Sequence, residues 1–232
     1  MIDLHFWTTP NGYKPLIFLE ETGLAYRLKP VDLGAGEQFD PSFLAIAPNN
    51  RIPAIVDHDP ADQAEPISVF ESGAILQYLA EKTGQFLPQD TAGRTAAMQW
   101  LFWQMGGLGP IAGQNHHFNG AAPEKIPYAI DRYVNETARL YGVLDQRLAD
   151  RDFVANNYSI ADMAIYPWVI LYERQGQTLE DTPDLKRWMG TMKARPAVRA
   201  GIDHKKEWRR PPGEMDEETR SVMFGAKQFA KR

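Results

Sequence analysis

Three short runs carry the side chains best suited to hold and activate a small polar ligand. Phe70-Glu71-Ser72-Gly73-Ala74-Ile75 puts a carboxylate and a hydroxyl where a helix should begin. A helix start offers unpaired N–H groups and a partial positive charge, so it favours a carboxylate. Ser72 could donate its hydroxyl and backbone N–H to such a group, and Glu71 could accept from an ammonium. The plainer alternative is N-capping, in which both residues serve only the helix. Just upstream, Asn50-Arg51-Ile52-Pro53 brings an X-Pro bond to the start of a strand. A cis bond there would turn the N–H and C=O of Ile52 outward, ready to pair with an extended peptide. Only about 5–6% of X-Pro bonds are cis, so the dipeptide by itself favours trans. The third run, Trp7-Thr8-Thr9-Pro10-Asn11, offers the hydroxyl of Thr9 and the amide of Asn11. By residue type alone it reads as turn chemistry. The chain has no cysteine. Disulfides and a cysteine nucleophile are therefore excluded, and any thiol chemistry must use a ligand's sulfur.

Other residues are weaker candidates. Gln38 sits on a long loop, Asn50 and Arg51 precede the proline, and Arg132 lies on a helix where a guanidinium could meet a carboxylate. Each could equally be an ordinary solvated side chain. His116-His117 raises the question of a metal, but adjacent histidines point apart on a helix and no partner cluster has zinc-like spacing. No metal is expected, and these histidines read as a pocket wall or as structural. Trp100, Trp103, Trp168 and Trp188 read as core or interface residues.

The elements that must position these residues fall into two groups. Ile2, Leu4 and Phe6 alternate as in a strand, and residues 16–21 form an amphipathic helix ending near Gly23. A strand over 26–32 carries Pro30, which favours a sheet edge. Strands over 52–57 and 67–70 flank a tight loop, and a helix over 71–82 stops at Gly84. This βαβββα order predicts an α/β thioredoxin-like domain over residues 1–87. From residue 93 to 204 the periodicity is helical throughout, predicting an all-α domain. Its first helix begins around Trp100 and is broken at Gly106-Gly107-Leu108-Gly109-Pro110. A long helix covers 128–148, and Ser159-Ile160-Ala161-Asp162 reads as a capping box before a buried helix over 163–171. A further helix spans 185–192. The tail, 205–232, holds an extended Trp208-Arg209-Arg210-Pro211-Pro212-Gly213 linker and a weakly helical stretch from Asp216 to Gln228.

Composition sets the remaining bounds. A chain of 232 residues with 44% hydrophobic and 24% charged content can bury a substantial core. A net charge of −5 gives no electrostatic case for nucleic acid or an anionic membrane. The start, Met1-Ile2-Asp3-Leu4-His5, has no basic n-region, and no apolar run approaches the roughly 18 residues of a membrane span. A cytoplasmic protein is expected.

In combination these runs resemble the cytosolic glutathione transferases, and more closely their bacterial Nu class. The resemblance rests on Ile52-Pro53-Ala54-Ile55-Val56-Asp57, Phe70 to Ile75, Leu108-Gly109-Pro110, Gln114-Asn115-His116-His117-Phe118-Asn119 and Tyr158 to Asp162. It covers roughly residues 1–200, and the tail departs from it. It implies glutathione as co-substrate, a cis bond at Pro53, and glutathione held by Gln38, Asn50, Arg51, Ile52, Pro53, Glu71, Ser72 and Arg132. It implies that Thr9 and Asn11 face the sulfur, in place of the tyrosine or serine that many transferases use. The implied activity is glutathione-dependent disulfide reduction by a homodimer. Conjugation to electrophiles, peroxide reduction and a non-enzymatic regulatory role are the alternatives.

Overall fold

The computed structural model describes residues 1–62, 64–205, 208 and 217–229. β1 (Ile2–Phe6) buries Ile2, Leu4 and Phe6, as its alternation requires. α1 (Pro10–Thr22) takes Thr9 as its N-cap and ends at Gly23, whose left-handed backbone (φ 66) closes the helix. β2 (Tyr26–Pro30) lies parallel to β1 at the sheet edge, where a proline removes no needed donor. A short helix, α2 (Pro41–Leu44), occupies the long connection that follows. β3 (Ala54–Asp57) and β4 (Ile67–Phe70) form an antiparallel pair, and the four strands run in the order β2-β1-β3-β4. Leu4 stands between Leu28 and Ile55 in register. The ladder begins at Ala54 rather than at residue 52, because a cis Ile52–Pro53 bond precedes it. α3 (Ser72–Thr83) completes the thioredoxin-like unit.

The second half is helical. α4 (Thr91–Trp103) does not end at the glycine pair. It continues through a π-helical turn at Gln104–Leu108 into α5 (Gly109–His116) and a second π turn at His117–Ala121. The expected break is thus a widened turn. Pro110 falls in the first turn of α5, where its missing N–H matters least. α6 (Pro127–Leu148), α7 (Ile160–Val169), α8 (Pro183–Ala194) and α9 (Pro196–Asp203) follow. The capping box before α7 is present in full: Asp162 accepts from the Ser159 N–H, and Ser159 caps the helix backbone.

One apolar core runs through both halves. α1 is its hinge element, with α3 packed on one side and α7 and α9 on the other. In the tail, Trp208 stacks on Trp7 at 5.4 Å, and α10 (Glu217–Phe224) returns to the body. There Arg220 donates to the Ala121 carbonyl at 2.6 Å, and Val222 is buried against Gly36. The expected linker after Trp208 and the start of the last helix at Asp216 lie outside the described residues. Among the described residues no helix is long and apolar enough to cross a membrane.

Candidate active site

A cleft of about 560 Å³ opens between the start of α1, the loop before β3, and the α5–α7 face, with Thr9, Asn11, Gln38, Arg51, Ile52 and Trp168 in its walls. A smaller recess of about 220 Å³ holds Pro53, Glu71, Ser72 and Met105. Asn11, Arg51 and Ile52 line both, so the two are parts of one groove. The structure therefore brings together eight of the ten expected residues. Asn50 sits beside them at the loop corner with a left-handed backbone (φ 47), which asparagine tolerates. Arg132 is elsewhere: it lies on α6, more than half exposed, 3.8 Å from Glu136.

Each polar group is set by its local structure. The Thr9 oxygen caps α1 by accepting from the Gly12 N–H at 3.1 Å. The cap uses the oxygen's lone pair, so the hydroxyl proton remains available to the cleft. Asn11 is fixed from the other side. Trp168 Nε1, which can only donate, gives its proton to Asn11 Oδ1 at 3.1 Å. That bond assigns the amide orientation and leaves the Asn11 NH2 as the free donor. Both donors stand in the first turn of α1, where the helix dipole adds positive potential.

Glu71 and Ser72 form the second polar centre. Glu71 is the residue before α3, with φ 71 and ψ 116, a backbone conformation that non-glycine residues rarely adopt. Its side chain makes no cap hydrogen bond and instead accepts from Asn49 Nδ2 at 3.3 Å. Simple capping by Glu71 is thereby removed as an explanation. Ser72 is 3% exposed, and its Oγ accepts from Lys14 Nζ at 3.3 Å. At the far end Gln38 is buried, donating from Nε2 to the Leu33 carbonyl while its Oε1 has no partner among the described residues.

The aromatic wall comes from the helical half and the tail. His117, Trp168, Met223 and Phe224 face the larger cleft, and the His117 and Phe224 rings meet at 5.1 Å. His116 points away from it, stacked on Trp168 at 5.7 Å, and burial pulls its pKa down to about 4, leaving it neutral. Among the described residues no group of three or more histidine, aspartate or glutamate side chains could hold a metal ion.

Three contributors were not singled out from the sequence. Trp168 reads as core because a tryptophan in an apolar helix gives no sign of a polar partner 157 positions away. The tail pair Met223 and Phe224 belongs to the weakly helical stretch after Asp216, whose sequence names no surface for it to pack on. Lys14 did leave a signal: it interrupts the apolar run Tyr13 to Leu19, every residue of which is buried.

Known proteins share this sequence pattern and fold. Family models described as "Glutathione S-transferase, N-terminal domain" and "Glutathione S-transferase, C-terminal domain" match residues 1–81 and 120–196. The chain is 61% identical over 199 residues to the disulfide-bond oxidoreductase YfcG of Escherichia coli, covering 85% of this chain and 93% of that protein. A glutathione transferase from Burkholderia graminis, solved with two glutathione molecules per subunit, superposes with a TM-score of 0.83 at 45% identity over 88% of each chain. One from Pseudomonas putida, with one glutathione disulfide per subunit, gives 0.83 at 44% identity over 88% of this chain and 91% of that one.

Proposed function

The chain belongs to the glutathione S-transferase family, and on that premise we propose that it reduces disulfides with glutathione as the thiol. The observation that carries this reading is the pair of donors with no partner among the described residues, Thr9 O–H and Asn11 NH2, at the start of α1 in a chain without cysteine. A glutathione thiol titrates near ~8.5 when unperturbed, and two donors plus a helix N-terminus favour its thiolate. That thiolate attacks a substrate disulfide and forms a mixed disulfide, releasing one substrate thiolate. A second glutathione thiolate attacks the mixed disulfide, releasing the other substrate thiolate and oxidised glutathione. Two glutathiones are oxidised, one disulfide is reduced, and the protein itself is unchanged.

The rest of the groove is assigned to the peptide. Ser72 and the start of α3 take the γ-glutamyl carboxylate, and Glu71 takes the ammonium. Ile52 pairs with the cysteinyl backbone beside cis-Pro53, and Gln38, Asn50 and Arg51 hold the glycyl end. The aromatic wall of His117, Trp168 and Phe224 bounds the second half of the disulfide. Arg132 lies outside the groove of its own chain, 3.8 Å from Glu136 on α6, so this groove gives it no contact with glutathione. A reaction that consumes reduced glutathione belongs in a reducing compartment, here the cytoplasm.

Calorimetric titration with oxidised glutathione tests the reading. One molecule should bind per subunit, and Glu71→Ala or Ser72→Ala should weaken it tenfold or more, since a charged end group loses its partner. Binding of reduced glutathione alone, with none of the oxidised form, would move the assignment to conjugation or peroxide reduction.

A further inference from the structure

Lys14 does not line the groove but touches two residues that do, Ser72 and Met105, and it has no part in the assignments above. Its side chain is 1% exposed, and its Nζ donates to Gln104 Oε1 at 2.6 Å, Ser72 Oγ at 3.3 Å and Met105 Sδ at 3.3 Å. All three ammonium protons are thus directed, yet none reaches a carboxylate. The other titratable groups on the packed helices, Asp162 and Tyr166 on α7, Arg199 and Asp203 on α9, and Tyr78, Glu81 and Lys82 on α3, exchange no hydrogen bond or ion pair with it. Among the described residues the charge that acts on Lys14 is that of Glu71. A buried ammonium held by dipoles alone is expensive, because its hydration has been lost without an opposite charge.

The surroundings are shaped around this amine. The Gln104 amide spends its oxygen on Lys14 and leaves its Nε2 buried with no partner among the described residues. Gly109 gives that amide room, since a Cβ there would stand 2.7 Å from Nε2. Gly73 does the same for Met105, with a Cβ 2.9 Å from its Cγ. Both partners come from the π turn at Gln104–Leu108, which brings the helical half against α1 and α3 at this point.

The consequence falls on Ser72. Its Oγ accepts from Lys14, so its own proton must point elsewhere, and the acceptor within reach is the weak Met105 sulfur at 3.6 Å. A ligand carboxylate in the recess is a far stronger acceptor. We propose that Lys14 is a positioning residue for the carboxylate seat: it holds Ser72 as an outward donor and supplies the buried positive charge that the ligand's carboxylate completes. The inference rests on the glutathione reading of Ser72. Burial already lowers the Lys14 pKa to about 7. An anion bound next to it favours the ammonium, so binding above neutral pH draws in a proton.

The test is calorimetric titration with S-methylglutathione, whose capped thiol cannot titrate, in buffers of different ionisation enthalpy from pH 6.5 to 9. Wild type should take up a fraction of a proton at pH 8 and lose affinity as pH rises. Lys14→Met should bind about tenfold more weakly at pH 7, as expected for loss of a charge-assisted contact. Its proton uptake should fall to what the ligand's own amine draws in beside Glu71, and its pH dependence should be shallower by the share that Lys14 contributes. Equal affinity and an unchanged pH profile in Lys14→Met would overturn the inference while leaving the seat intact. Ser72→Ala binding as tightly as wild type would instead remove the seat, and the inference with it. Should Lys14→Met fail to fold, wild type alone decides: no proton uptake at pH 8 overturns the proposal.

Discussion

Two hydroxyls in this groove share one arrangement. Thr9 accepts from the Gly12 N–H and Ser72 accepts from Lys14, so each leaves its proton for a ligand. Asn11 is the third case, its oxygen taken by Trp168 and its NH2 left over. Protein groups thus occupy the acceptor sides, and the donor sides face where negative charge would sit. Thr9→Ala should leave glutathione affinity within a few-fold and slow turnover about ten- to a hundredfold, read as a split between Kd and kcat. An unaltered rate would transfer sulfur activation to Asn11 and the helix dipole. Trp168→Phe should also slow turnover, by less than Asn11→Ala, because the amide remains but is no longer held. At this scale the sequence indicated most of the residues that line the groove and not how their polar groups are oriented. Glu71, Ser72, Ile52 and Pro53 were found from a motif and an X-Pro bond. The bonds that orient Asn11 and Ser72 come from α7 and α1, far away in the chain. No local pattern reports them.

The elements divide by the kind of signal that specifies them. β1, β4, α1 and α3 follow from strict alternation or from a glycine stop, and Gly23 and Gly84 both take the left-handed conformation that a helix end uses. The Ser159–Asp162 box was equally legible, because capping is a contact between near neighbours. The run from α4 to the second π turn was not. Two glycines and a proline normally end a helix, and only tertiary packing keeps this one going through Gln104–Leu108. That turn delivers Gln104 and Met105 to Lys14, and the second delivers His117 to the cleft wall. Asp162 shows what a single buried residue can hold at this scale. It accepts from Val154 N, Ser159 N, Ser159 Oγ and Trp188 Nε1, linking the start of α7 to the loop before it and to α8. Asp162→Ala would leave several of these donors buried and unpaired. We expect a loss of roughly 3–5 kcal/mol, seen as a large drop in the urea midpoint with the slope unchanged.

In the whole molecule, α1 joins the two halves into one core and carries Thr9, Asn11 and Lys14 on the same helix or at its cap. Lys14 therefore ties the groove to global stability. Its pKa is about 7 in the folded chain, against 10.5 for an ordinary solvated lysine. Between those values the unfolded chain binds a proton that the folded chain lacks, so this group's contribution to stability rises with pH across the window. Below about pH 7 it is a constant penalty. From pH 7 to 9 wild type should gain on the order of 1–3 kcal/mol relative to Lys14→Met, measured by urea unfolding without ligand. A constant difference between the two proteins would mean that the lysine is not depressed. The βαβββα order and the helical second half were legible from periodicity, whereas the return of α10 onto the groove was not, since eight residues of mixed polarity specify no partner.

A cysteine-free chain that reduces disulfides must do so with sulfur borrowed from glutathione. The most direct measurement is reduction of a small organic disulfide by reduced glutathione, coupled to glutathione reductase and corrected for the spontaneous reaction. The account predicts a saturable rate well above background that falls with Thr9→Ala. No rate above background, from a folded protein that binds glutathione, would contradict it.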